Sequence, residues 1–221
     1  MKLFARLKPC QPGRHNSKTE GEFLMTVQIE KMFDYPGAQP NGMQATEEGL
    51  WFLDQVSNHV LLVSYEGEAL KTYDTDSVHG SGITDNGKEL WLASTFGPTI
   101  IKANRTNGST IATYPTAGAK KTGAHGLEWR DGKLWMAVPP SATIYQLDPD
   151  NDLAVPHSIP APGERPHGLA WEGDDLWCVE TSHRAIYRLN PKDGSTIDKI
   201  EILEPYPEAR DDTLGWLLLV L

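Results

Sequence analysis

His125-Gly126-Leu127-Glu128-Trp129-Arg130-Asp131-Gly132-Lys133-Leu134-Trp135 is answered 42 residues later by His167-Gly168-Leu169-Ala170-Trp171-Glu172-Gly173-Asp174-Asp175-Leu176-Trp177. The same frame recurs upstream. Asn41-Gly42-Met43 precedes Leu50-Trp51, and Ser81-Gly82-Ile83 precedes Leu90-Trp91. In all four copies a polar residue stands 10 positions before the tryptophan, and the tryptophans are 40, 44 and 42 residues apart. Each tryptophan is followed by a loop and an alternating stretch: Val60–Val63, Thr99–Lys102, Thr143–Leu147 and Ala185–Leu189. A turn comes next, such as Thr106-Asn107-Gly108 or Lys192-Asp193-Gly194, and then a last alternating segment closes the unit.

Four short strands in about 42 residues, with Gly, Asn and Asp where hairpins need positive φ, is the period of a propeller blade. No convincing 3.6-residue apolar period appears, so almost no helix is expected. The fold class expected is therefore all-β, a β-propeller of four-stranded blades. About four blades are complete, in units near 39–77, 78–120, 121–163 and 164–205 of a body spanning 23–205. Residues 25–35 read as a closing strand, because Phe33-Asp34-Tyr35-Pro36 resembles Ala112-Thr113-Tyr114-Pro115. Residues 1–22 read as a disordered arm and 206–221 as a truncated or atypical tail. The expectation is an incomplete six- or seven-bladed propeller, with a closed four-bladed ring as the alternative. Open edge strands would favour self-association.

The chain has 221 residues, with 20 Lys and Arg against 30 Asp and Glu, a formal charge of −10. That acidity argues against a general nucleic-acid binder, which needs a basic face. No run of 18 apolar residues is present, so no membrane-spanning helix is expected. Met1–Glu20 is basic and polar without an apolar core, so no secretory signal is expected there. Cys10 and Cys178 fit no metal spacing, and a reduced, cytoplasmic compartment is expected.

The first strand of a blade lines the central channel, and the second returns to the same mouth. Asn41, Ser81, His125 and His167 are thereby placed at the mouth, with His79 two residues before Ser81. About three residues past each tryptophan the second strand brings Asp54, Ser94, Val138 and Glu180 there, with Gln55 and Thr95 beside two of them. Hairpin register sets His167 opposite Glu180 or Thr181, and Asn41 opposite Asp54 or Gln55. Three imidazoles serve as ligands or proton shuttles near neutral pH. Carboxylates beside them suit a hard divalent cation, an orienting contact or a base. The plainer account is a water-filled channel in which polar residues and His-Gly steps serve the backbone. Arg165, before Pro166-His167, either binds a substrate anion or pairs with Glu164. No Gly-x-Ser-x-Gly elbow, phosphate loop, dinucleotide fingerprint or zinc-finger spacing occurs.

Gly49-Leu50-Trp51-Phe52-Leu53-Asp54, His125-Gly126-Leu127, Pro166-His167-Gly168-Leu169 and Leu176-Trp177-Cys178-Val179-Glu180 resemble the propellers of the virginiamycin B lyase family. They also resemble the wider group of SMP-30/gluconolactonase and YncE-like (YVTN) proteins. The resemblance covers about residues 39–203, with fewer blades than either group has. It implies a metal-assisted elimination or a lactonase-like hydrolysis. By position His125, His167 and Glu180 become the catalytic set. The expected function is then a lyase or hydrolase acting on a small lactone- or ester-type molecule, with a non-catalytic binding propeller as the alternative. His79, Ser81, Arg165, Thr181 and Gln55 are the expected substrate contacts. Glu180, Asp54 and Asn41 are the expected ligands of a divalent metal, magnesium or calcium. A small molecule is the expected partner, with no nucleic acid and no membrane.

Overall fold

The computed structural model describes residues 3–9 and 27–202. Strands β1 (Leu3–Pro9) and β2 (Val27–Asp34) pair antiparallel. The first blade comprises β3 (Pro40–Thr46), β4 (Gly49–Asp54), β5 (His59–Val63) and β6 (Ala69–Asp74). The second comprises β7 (Gly80–Asp85), β8 (Glu89–Ser94), β9 (Thr99–Asn104) and β10 (Thr110–Pro115). The third comprises β11 (Gly126–Arg130), β12 (Lys133–Val138), β13 (Thr143–Asp148) and β14 (Ala154–Pro160). The fourth comprises β15 (Pro166–Glu172), β16 (Asp175–Glu180), β17 (Ala185–Leu189) and β18 (Thr196–Glu201). Each blade is an antiparallel sheet in chain order, and together they form a four-bladed β-propeller. Two single-turn 3-10 helices, Pro139–Ser141 and Pro149–Asn151, both begin on proline, whose fixed φ suits a first turn.

Apolar residues of the middle strands make the cores between blades. Trp51, Leu53, Leu62, Ile83 and Leu92 fill the first interface, and Trp91, Ile100, Leu127, Leu134 and Met136 the second. Trp135, Ile144, Ile159, Leu176 and Cys178 fill the third. The outer face of the first blade is covered by Phe33 and Tyr35, packed on Leu50, Phe52 and Leu61. The segment expected to close a last blade therefore caps the first one instead. Residues 3–9, expected within a disordered arm, form the strand paired with β2. Residues 10–26 and the tail 206–221 lie outside the described residues.

Inner strands pack side by side in the order β3, β7, β11, β15. Their spacing explains the glycine after each polar residue. A Cβ on Gly42 would stand 2.0 Å from the Ser81 carbonyl oxygen, one on Gly82 2.7 Å from that of His125, and one on Gly126 1.9 Å from that of His167. Only a residue without a side chain lets the main chains approach so closely. Three of the four X-Gly steps are β-bulges. Register shifts between Pro40 and Gly42, Gly80 and Ile83, and Pro166 and Leu169 leave Asn41, Ser81 and His167 in the extra positions. A bulge re-aims the side chain it carries.

Candidate functional site at the channel mouth

Asn41, Ser81, His125 and His167 line one narrow cavity of about 40 Å3. That is room for about two or three waters, or for one polar group of a larger ligand. The rings of His125 and His167 lie 4.4 Å apart at 56°. His167 is buried, and its Nδ1 donates to the Arg165 carbonyl at 2.9 Å. A carbonyl only accepts, so Nδ1 carries a proton. The buried Thr181 hydroxyl lies 3.4 Å from both that nitrogen and that carbonyl. Burial, followed by the nearby charges of His167, Arg165 and His79, pushes His125 down to about 3. His125 is therefore neutral at physiological pH.

His79 enters the strand with φ +55°, its N–H held at 3.0 Å by the Asn58 side chain. Its ring rests on the exposed Phe96 at 4.4 Å between centroids, and burial lowers its basicity. Asn41 donates to Gln55 at 3.0 Å. Each expected substrate contact thus has a defined place. Ser81 lines the cavity, the charges of His79 and Arg165 reach His125, and Thr181 and Gln55 contact His167 and Asn41.

The carboxylates do different work. Asp54 is fully buried and accepts the N–H groups of Gln39 at 2.5 Å and of Val56 and Ser57 at 3.0 Å, with Tyr35 Oη at 3.3 Å. Burial opposes its charge, but the Ser57, Gln39 and Val56 amides outweigh it and hold the carboxyl below its ordinary range. Burial and the Asp54 charge in turn push the Tyr35 phenol far up. Glu180, also fully buried, accepts from Arg165 N and His183 N at 2.6 Å each. Ser94 accepts Val78 N at 2.8 Å from the same repeat position. The end of each of these second strands therefore ties down the loop entering its inner strand. Register places Pro166 opposite Glu180 and Pro40 opposite Asp54, one residue from the expected pairing because of the bulges. Glu180 holds the Arg165 N–H, and the Arg165 carbonyl in turn holds His167 Nδ1.

The expected metal ligands are each engaged by protein groups: Asn41 by Gln55, Asp54 by three backbone N–H groups and Tyr35, and Glu180 by two backbone N–H groups. Among the described residues no group of three or more His, Cys, Asp or Glu side chains is arranged to hold a metal ion.

One polar group escaped the repeat reading. Three residues past the mouth positions stand Gln44, Thr84 and Glu128. The Thr84 hydroxyl donates to Gln44 Oε1 at 2.7 Å, and the Gln44 amide bonds the Glu128 carboxyl across the channel. Burial pushes that carboxyl up to about 8 despite the Gln44 and Trp129 N–H groups. The signal was the repeat offset itself, read at the mouth and not followed inward.

No helix among the described residues is long and apolar enough to cross a membrane. No protein-family model matches the sequence. No curated protein is similar to it by sequence. Among solved structures, the glutaminyl cyclase of Myxococcus xanthus aligns with a TM-score of 0.65 at 11% identity, over 93% of this chain and 85% of that one. A streptogramin B lyase aligns at 0.56 and 19% identity, over 77% of this chain and 57% of that one. Virginiamycin B lyase from Staphylococcus aureus aligns at 0.55 and 21% identity, over 80% and 60%. The chain thus spans 57–60% of the length of these two lyases. The likeness is one of fold, and it places the chain among β-propellers that include enzymes.

Proposed function

We propose that the channel mouth binds a small lactone- or ester-type molecule and acts on it as a lyase or hydrolase, with His167 as the proton acceptor. The observation that carries this reading is the paired imidazoles. His167 is oriented by the bond of its Nδ1 to the Arg165 carbonyl, and a second, neutral ring lies 4.4 Å away. In an elimination, His167 Nε2 takes the proton from the carbon next to a carbonyl, a carbon–carbon double bond forms, and the ester C–O bond at the β carbon breaks to release a carboxylate. In a hydrolysis it takes one from the attacking water. The Arg165 guanidinium, whose charge reaches His125, is the cation that meets the developing oxyanion in this reading. Glu180 keeps this constellation in place through Arg165.

A non-catalytic small-molecule receptor is the second reading. It is favoured by the exposed apolar Val78 and Phe96, next to His79 in sequence and against its ring respectively. A panel of lactones and esters tests the first reading. Turnover by the folded protein should fall about a hundredfold or more in His167→Ala, with the melting temperature little changed. Ligand binding without turnover in both proteins supports the receptor instead, and neither binding nor turnover overturns both.

A further inference from the structure

Each X-Gly step at the mouth serves the blade that follows it. Gly42 admits the Ser81 carbonyl, Gly82 that of His125, and Gly126 that of His167. His167-Gly168 is the fourth such step, yet among the described residues no inner strand lies beyond β15, which packs on β11 and β12. Gly168 is extended within β15, so its backbone gives no reason of its own for glycine. The far face of the fourth blade poses the same question. Leu176 and Cys178 point at the third blade, so Trp177 and Val179 point the other way. Val179, Ile186 and Ile200 stand side by side in register. These three and Trp177 are only 1–5% exposed. The earlier repeat tryptophans, Trp51, Trp91 and Trp135, each pack on the next blade together with its apolar residue two places past the mouth: Ile83, Leu127 and Leu169. By the same rule Trp177 calls for a fifth copy of that residue.

Residues 203–221 lie outside the described residues, and their sequence holds such a copy. Arg165-Pro166-His167-Gly168-Leu169-Ala170-Trp171 is answered 45 residues later by Arg210-Asp211-Asp212-Thr213-Leu214-Gly215-Trp216, with arginine, leucine and tryptophan in the same places. Leu214 has the position of Leu127 and Leu169, and Asp212 that of His125 and His167. Thr213 departs from the glycine of the other four copies, at the position that serves a strand further on. The connection is long enough. Thr116, Ala161 and Ile202 are tied alike, their N–H groups donating to Pro98, Ala142 and Arg184 at 3.0 Å each. From Thr116 and Ala161 the chain reaches the next mouth position in 9 and 6 residues, and Asp212 follows Ile202 by 10.

We propose that residues 210–217 lie against the far face of the fourth blade as a fifth inner strand, with the Asp212 carboxylate at the channel mouth beside His167. Leu214 then covers Trp177, and Gly168 admits the Asp212 carbonyl. The working role of Asp212 rests on the function proposed above. When His167 accepts a proton, a carboxylate next to it stabilises the imidazolium. Asp212 acts through His167, and the placement of the strand does not depend on that role.

Measurements on the full chain test this. In NMR spectra of the unaltered protein, NOEs from the Gly168 α-protons should reach the amides of residues 212–214. NOEs to residues 10–26 in their place, or to nothing outside the four blades, overturn the proposal. Gly168→Ala should lower the melting temperature by about 5 °C, because the new Cβ meets a main chain. An unchanged or higher melting temperature, the result of alanine in open space, also overturns it. Asp212→Asn should lower the His167 ring pKa by about half a unit or more in an NMR titration. The other charged or titratable groups around that ring, His125, Arg165 and Glu180, are the same in both proteins. An unchanged titration removes Asp212 from the mouth. On the lactone and ester panel Asp212→Asn should cut kcat about tenfold with KM little changed, and full turnover overturns its working role. A wild type without any turnover would sink the lyase or hydrolase reading alone, since the NOEs and the titration decide the strand and the place of Asp212 by themselves.

Discussion

Glu128 is a carboxyl kept protonated at neutral pH inside the channel, and this has a sign that can be measured. A glutamate ordinarily ionises near 4.5, while burial moves this one to about 8. Between those values the unfolded chain has released a proton that the folded chain retains. Stability is therefore lost as pH rises from about 4.5 to 8 and levels off above that. Glu128→Gln keeps the size and the hydrogen bonding of the protonated acid. It should flatten this slope, as read from urea midpoints across the pH range. A slope unchanged in the variant would assign the pH dependence elsewhere.

At the scale of the element, the second strand of the first, second and fourth blades ends in a side chain that holds the loop entering the inner strand. Asp54 does this with three backbone amides. Asp54→Ala leaves those amides buried without an acceptor and should cost about 2–3 kcal/mol in urea denaturation. Asp54→Asn, which keeps one acceptor oxygen, should cost less. The blades and their strands were legible from the tryptophan spacing and the hairpin turns, since both follow from local chemistry. The positions of Asn41, Ser81, His125 and His167 around one cavity followed from the same period. The role of Asp54 and Glu180 did not. A carboxylate that caps a turn and one that holds a metal look alike in a string of residues. Bulges at Asn41, Ser81 and His167 also shifted the pairing by one, and no residue type announces them. Tyr35 read as part of a strand closing a last blade, so nothing linked it to Asp54 of the first.

Across the whole molecule, each blade is joined to its neighbours through an interface core of its own, so coupling passes from one sheet to the next. Trp91 belongs to the core shared by the second and third blades. Trp91→Ala should speed amide exchange most in β8, β9, β12 and β13, and least in β4 and β5 of the first blade. Uniform acceleration across all four blades would show a single cooperative unit instead.

The close approach of the inner strands at Gly42, Gly82 and Gly126 has a consequence for how such a protein diversifies. Carbonyls and α-carbons gauge the bore of the pore, so its width does not depend on what is mounted at the rim. Asn41, Ser81, His125 and His167 thus act as four interchangeable fittings on one rigid collar. A new reactivity can be grafted by exchanging fittings, with no change to the collar that holds them.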